Sequence, residues 1–189
     1  VHGVTLARDA AEEQALAHFD RVLGGRGPMA VIEEVGPVSL LQYVDAELGA
    51  SHFVTLGYGR TGAEVVNPSE LVITVRPKQE DDGLTLLRYA VQIAPQMSEI
   101  TFGSSLVSEH RLVPELGVHG LMFDASPWTD QLDLVLSEDE TAIELAVLTL
   151  LPMTEADVEF LRERGIEEFD HAVEQTAADV FDLHRTGSL

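Results

Sequence analysis

Gly57-Tyr-Gly-Arg-Thr-Gly-Ala-Glu-Val-Val-Asn-Pro-Ser-Glu-Leu-Val-Ile-Thr-Val75 is the stretch that decides between two folds. Its first six residues spell G-x-G-x-x-G at the end of a predicted strand, His52 to Tyr58, the pattern that opens dinucleotide-binding folds. That fold needs a helix next, with its N-terminus facing the pyrophosphate. Here only Ala63 to Val66 stand before Asn67-Pro68, and the next strand, Leu71 to Val75, follows about three residues later. A parallel crossover needs a dozen or more residues. The two strands are therefore expected to be antiparallel, joined by a loop in which glycine supplies positive φ. Leu71 to Val75 is apolar on both faces, as a central strand should be.

Working outward, period-two patterns place strands at Met29 to Val35 and Leu40 to Glu47, with the turn signal Gly36-Pro37 between them. Before them, Asp9 caps a helix, Glu12 sits three residues on, and Leu16, Phe19 and Leu23 form its apolar stripe. Gly24-Gly25 stops it. After Val75, the acidic turn Glu80-Asp81-Asp82-Gly83 leads into a second helix closed by Pro95. Residues 98 to 117 have no period and read as an irregular connection. Strands are expected again at Val118 to Phe123, Leu132 to Leu136 and Thr141 to Leu151, the last ended by Pro152. Thr154 with Asp157 caps a third helix that Gly165 breaks, and a fourth follows from Ile166 to Gln175. The tail from Asp179 reads as extended. The order predicts an α+β fold: a mixed or antiparallel sheet of about six to seven strands with helices packed on it. Residues 1–28 are expected to be an N-terminal helix and loop of the same single domain as 29–189.

The 189 residues carry 33 Asp and Glu against 11 Lys and Arg, a formal charge of −22. Such a chain repels phosphate backbones and anionic membrane surfaces, so neither nucleic acid nor membrane is an expected partner. With 45% hydrophobic residues it is not a disordered acidic tail. It has no cysteine, which excludes disulfides, thiolate nucleophiles and thiolate metal sites. Neither a secretory signal nor a run of roughly 20 apolar residues is visible. The cytoplasm is the expected compartment, with no cofactor.

Sites for chemistry are sparse. The seven histidines show no H-x-H, H-x-x-x-H or H-E-x-x-H spacing. Ser104-Ser105 lack a nucleophile elbow. Asp45 and Glu47 lie two apart on one strand face, with Asp133 on a later strand. If those strands were neighbours, the three carboxylates could serve a metal-dependent or acid/base enzyme.

Several segments, read in order, resemble the suppressor-of-fused (SUFU) domain. These are His52-Phe-Val-Thr-Leu-Gly57, Glu70-Leu-Val-Ile-Thr-Val75 with the helix Leu84 to Ile93, and the join Leu148-Thr-Leu-Leu-Pro-Met-Thr-Glu155. Phe160-Leu-Arg-Glu-Arg-Gly165 and the closing Asp182-Leu183 with Arg185 complete the series. The resemblance spans roughly residues 30 to 186. It implies a protein-binding domain with no established catalytic centre. The metazoan founder is a two-domain regulator of Hedgehog signalling, and this chain has room only for its first domain. Bacterial single-domain relatives are commonly proposed as immunity proteins against secreted toxins. That implies an intracellular immunity or regulatory role, and the charge suits a basic partner such as a toxin domain. The candidate contact residues are the lone tryptophan, Trp128, flanked by Asp124 and Asp130, and the acidic turn Glu80, Asp81 and Asp82.

Overall fold

Four antiparallel strands open the sheet in a computed structural model that describes residues 9–24, 28, 30–61, 68–97, 100–175 and 179–186. They are β1 (Ala30–Val35), β2 (Val38–Asp45), β3 (Ala50–Leu56) and β4 (Ser69–Val75), each paired with the next. The connection after Gly57 therefore joins antiparallel neighbours, as expected. The second half supplies β5 (Ser104–Val107), β6 (Gly120–Asp124), β7 (Leu134–Leu136) and β8 (Ile143–Met153). Strand β8 lies parallel to β4 and closes one eight-stranded mixed sheet in the order β1-β2-β3-β4-β8-β6-β5. Strand β7 pairs with the first part of β8, and β6 with its last part.

The sheet has one strand more than expected. Strand β5 falls in the stretch read as irregular, because Ser-Ser-Leu-Val has neither alternation nor full burial, and only its pairing with β6 makes it a strand. Strand β8 also runs past Pro152, which pairs with Leu121. Beyond Thr149 no β4 residue accompanies β8, and such an edge is where proline is tolerated.

One sheet face is covered by α2 (Glu80–Ile93), which buries Leu84, Leu86, Leu87, Ala90 and Val91 against Phe53, Leu71, Ile73 and Leu148. A Cβ on Gly83 would stand 2.7 Å from Val75 Cγ1, so the glycine lets the first turn of α2 sit down on β4. The opposite face is covered in two pieces. Helix α1 (Ala10–Phe19) packs Ala15 and Phe19 on Tyr43, Val54 and Val72. Helices α3 (Glu155–Arg164) and α4 (Ile166–Gln175) pack Val158 and Phe169 on Met122, Leu151 and Met153. Between those two pieces the face changes character.

Candidate functional site

In strands with inward apolar residues on either side, four neighbouring positions on that second face are polar. Strand alternation puts His52, Thr74, Thr149 and Asp124 on the side of Val54, Val72, Leu151 and Met122. His52 pairs with Thr74 and Asp124 pairs with Thr149, while across β4 and β8 Thr149 pairs with Val72, so the two polar pairs lie offset by one step on the same face. His52 Nδ1 and Thr74 Oγ1 lie 2.9 Å apart. His52 is fully buried, which pushes its pKa down to about 4 despite the pull of Asp45, so its ring is neutral at pH 7.

Over this row runs the loop after β6. Asp124 Oδ1 accepts the Ala125 N–H at 2.7 Å, and Asp133 Oδ1 accepts the Ser126 N–H, also at 2.7 Å. The two carboxylates shape the turn that carries Trp128. Its indole stacks on His52 with ring centroids 4.9 Å apart. The loop's far end is tied to α1, where His18 Nε2 meets the Leu132 carbonyl at 2.8 Å. Burial raises the Asp133 carboxyl to about 6, helped by the nearby Asp130 charge.

A cleft of about 620 Å³ opens between this loop, α4 and the tail from Asp179. Trp128 and Asp124 line it on one side, Asp170, Val173 and Glu174 of α4 on another, and Arg76, Asp179 and Phe181 close the end. Asp124 and Asp170 face each other. Burial, then the adjacent Asp124 charge, pushes Asp170 up to about 6, and burial raises Asp124 too. Two such carboxyls can share one proton or hold a cation between them. Arg76, the one basic residue among the described residues that line the cleft, is already engaged. Its Nε donates to Asp179 Oδ2 at 2.5 Å, its Nη1 to the Leu48 carbonyl at 2.8 Å, and its guanidinium lies 5.2 Å from the Phe181 ring centroid.

Of the residues singled out in the sequence, Trp128 and Asp124 therefore meet in one cleft. Asp130 is exposed on the same loop and is not among the lining residues. Glu80, Asp81 and Asp82 occupy the first turn of α2, outside the cleft, where Asp82 Oδ2 lies 3.5 Å from His184 Nε2. Asp45, Glu47 and Asp133 do not form a set. Asp45 Oδ1 accepts the N–H groups of Glu47 and Leu48 in the β2–β3 turn, Glu47 is exposed, and Asp133 precedes β7, which borders β8 rather than β2. Among the described residues no group of three or more His, Asp or Glu is arranged to hold a metal. Asp170, Glu174 and Arg76 were not anticipated. The signal for the first two was their i,i+4 spacing on α4, which puts both on one helix face.

The glycine motif has a structural use instead. Gly57 has φ +92, and its N–H donates to Glu70 Oε1 at 2.7 Å, while Tyr58 N–H donates to Oε2 at 3.1 Å. Thr55 Oγ1 donates to the same oxygen at 2.6 Å. The group held by this loop is the chain's own buried Glu70 carboxyl. Gly62 lies outside the described residues.

The family model for suppressor of fused protein (SUFU) matches residues 36–186. A crystal structure of a SUFU homolog from Neisseria gonorrhoeae FA 1090 superposes with TM-score 0.62 at 14% identity, covering 95% of this chain and 97% of that one. A chain of the Sufu–Fu complex superposes with TM-score 0.61 at 13% identity, covering 94% and 91%. No curated protein matches the sequence. Among the described residues no helix is long and apolar enough to cross a membrane.

Proposed function

The chain belongs to the suppressor of fused (SUFU) family, and on that premise we propose that it is a non-catalytic, single-domain binder of another protein, acting inside the cell as an immunity or regulatory factor. The observation that carries this reading is the acidic cleft beneath Trp128, where four carboxylates meet one guanidinium that is already paired. A surface of that sign in a chain of charge −22 selects a basic partner and speeds the encounter with it. Family membership supports the class of function, since one SUFU-fold neighbour is a component of the Sufu–Fu complex. A basic toxin domain is the partner that the immunity role calls for.

The test is co-expression with each protein encoded beside this gene, one of which is expected to be the basic partner. The two are expected to copurify, and the partner is expected to lose its toxicity. Their association rate should fall about tenfold or more between roughly 50 mM and 500 mM salt, as screening removes the long-range attraction. A neighbour that stays toxic and elutes separately rules the immunity role out. An association rate unchanged by salt rules out a charge-driven encounter.

A further inference from the structure

From the groups in the cleft we infer, building on the binding role just proposed, that the space between the Trp128 loop and α4 receives an arginine-bearing polypeptide segment of the partner. The cleft contains polar groups of both kinds that the chain does not satisfy. Asp170 Oδ1 is buried beside the Asp124 carboxyl, and the one hydrogen bond the chain offers it there is a proton shared between the two. Trp128 Nε1, a donor only, has no acceptor, and Ser126 Oγ has no partner of either kind. Thr149 is 1% exposed, and its Oγ1 is also without a partner. Thr149 is not itself a lining residue; it lies on the same sheet face, beside Leu151 and its cross-strand partner Asp124, both of which line the cleft. The large majority of buried polar side-chain atoms are paired, so a group of orphans around one opening marks a place where an incoming molecule supplies the partners.

The chemistry of the orphans selects the occupant. The facing carboxyls of Asp124 and Asp170 call for a cation that donates several hydrogen bonds, and a guanidinium presents five in one plane. Trp128 Nε1 calls for an acceptor, which a bare cation, a polyamine or a metal ion lacks and a peptide carbonyl has. Only an occupant carrying both fits. At about 620 Å³ the cleft is in the range that encloses a ligand of several residues' bulk.

Trp128 is the sole tryptophan, so its emission reports this site directly. The probe is acetyl-Gly-Arg-Gly-Arg-Gly-amide, titrated against the full chain, with the citrulline peptide as a neutral isostere that keeps every carbonyl. The arginine peptide is expected to shift Trp128 emission saturably, with at least tenfold tighter binding than the citrulline peptide. Asp170→Asn should weaken it about tenfold with an unchanged or higher melting temperature, because one of two crowded carboxyls is neutralised. Thr149→Val is the second variant, nearly isosteric and free of any charge change, and it should weaken binding severalfold. Asp81→Asn, on α2 and outside the cleft, should leave affinity within twofold. Equal binding of the two peptides, or an equal loss in Asp81→Asn, overturns the assignment. The binding role fails separately: a co-encoded partner held equally by wild type and Asp170→Asn refutes only this cleft, whereas a wild type that holds no partner refutes the role itself.

Discussion

Glu70→Ala is expected to cost about 3–5 kcal/mol of folding stability. Glu70 is 5% exposed and accepts hydrogen bonds from Thr55 Oγ1, Gly57 N–H and Tyr58 N–H. Thr55 Oγ1 in turn accepts the Leu71 N–H at 2.7 Å, so the carboxylate anchors both strands flanking the loop. Truncation leaves three buried donors unpaired at roughly 1–3 kcal/mol each, partly offset by removing a desolvated charge. Against a typical stability of about 5–15 kcal/mol that is a large fraction, readable in urea titrations.

The same residue sets a pH dependence. Burial, acting against those hydrogen bonds, raises the Glu70 pKa from 4.5 to about 7. The folded state therefore holds a proton that the unfolded state releases between those values. The contribution of Glu70 is complete below about pH 4.5 and is lost as pH rises through 7, by about 3 kcal/mol in all. Asp133 and Asp170, both raised to about 6, act in the same direction. His52, lowered to about 4, opposes them, since its neutral buried ring loses stability as pH falls below 6.5. Glu70→Gln should flatten the wild-type slope between pH 5 and 7. A slope identical in both proteins would remove Glu70 as its origin.

Arg185→Ala should be the second large effect, again about 3–5 kcal/mol. Asp157 is fully buried and serves two partners. Its Oδ2 accepts the Thr154 N–H at 2.7 Å, closing the capping box of α3, and accepts Arg185 Nη2 at 2.5 Å. The same Arg185 nitrogen reaches the Pro152 carbonyl at 2.8 Å. Removing the guanidinium strands a carboxylate that is out of water, the most destabilising way to break a buried pair. The damage should spread along the tail. There Leu183 is buried under α2, its N–H donates to Gln79 Oε1 at 3.0 Å, and Asp182 accepts from Gln79 Nε2 at 2.5 Å. Hydrogen exchange should accelerate at the Leu183 amide. Adding Asp157→Asn to Arg185→Ala should recover part of the loss, because a neutral amide needs no counter-charge. A double variant as unstable as the sum of the two singles would show that the residues act independently.

The strands with clean alternation were legible from residue order, and so was the helix that buries two faces of itself. Strand β5 was not, because four half-buried residues become a strand only when β6 lies beside them. Half of the cleft was legible for a similar reason. Trp128 between aspartates is a local pattern, whereas Asp170, Glu174 and Arg76 reach it from 40 or more residues away in either direction. The clue that could have been followed is polar residues at inward positions of apolar strands: His52 between Ser51 and Phe53, and Thr149 between Leu148 and Leu150.

By itself, the sequence determined that β3 and β4 are antiparallel. Asn67-Pro68 leaves only Ala63 to Val66 after the glycines, too few residues for a covering helix, whatever the glycines spell. It also determined the sign of the chain's own charge, because net charge is a sum over residues and needs no coordinates. What the glycine loop holds was decided only by the tertiary structure, which sets the Glu70 carboxylate against its N–H groups. The same is true of the acids, most of which are solvated while Asp124 and Asp170 crowd each other beside Trp128. The reason is common to both. Loop length and charge are local or additive, but desolvation and hydrogen-bond pairing depend on which groups lie opposite, and only the closed sheet with its two helical covers puts them there.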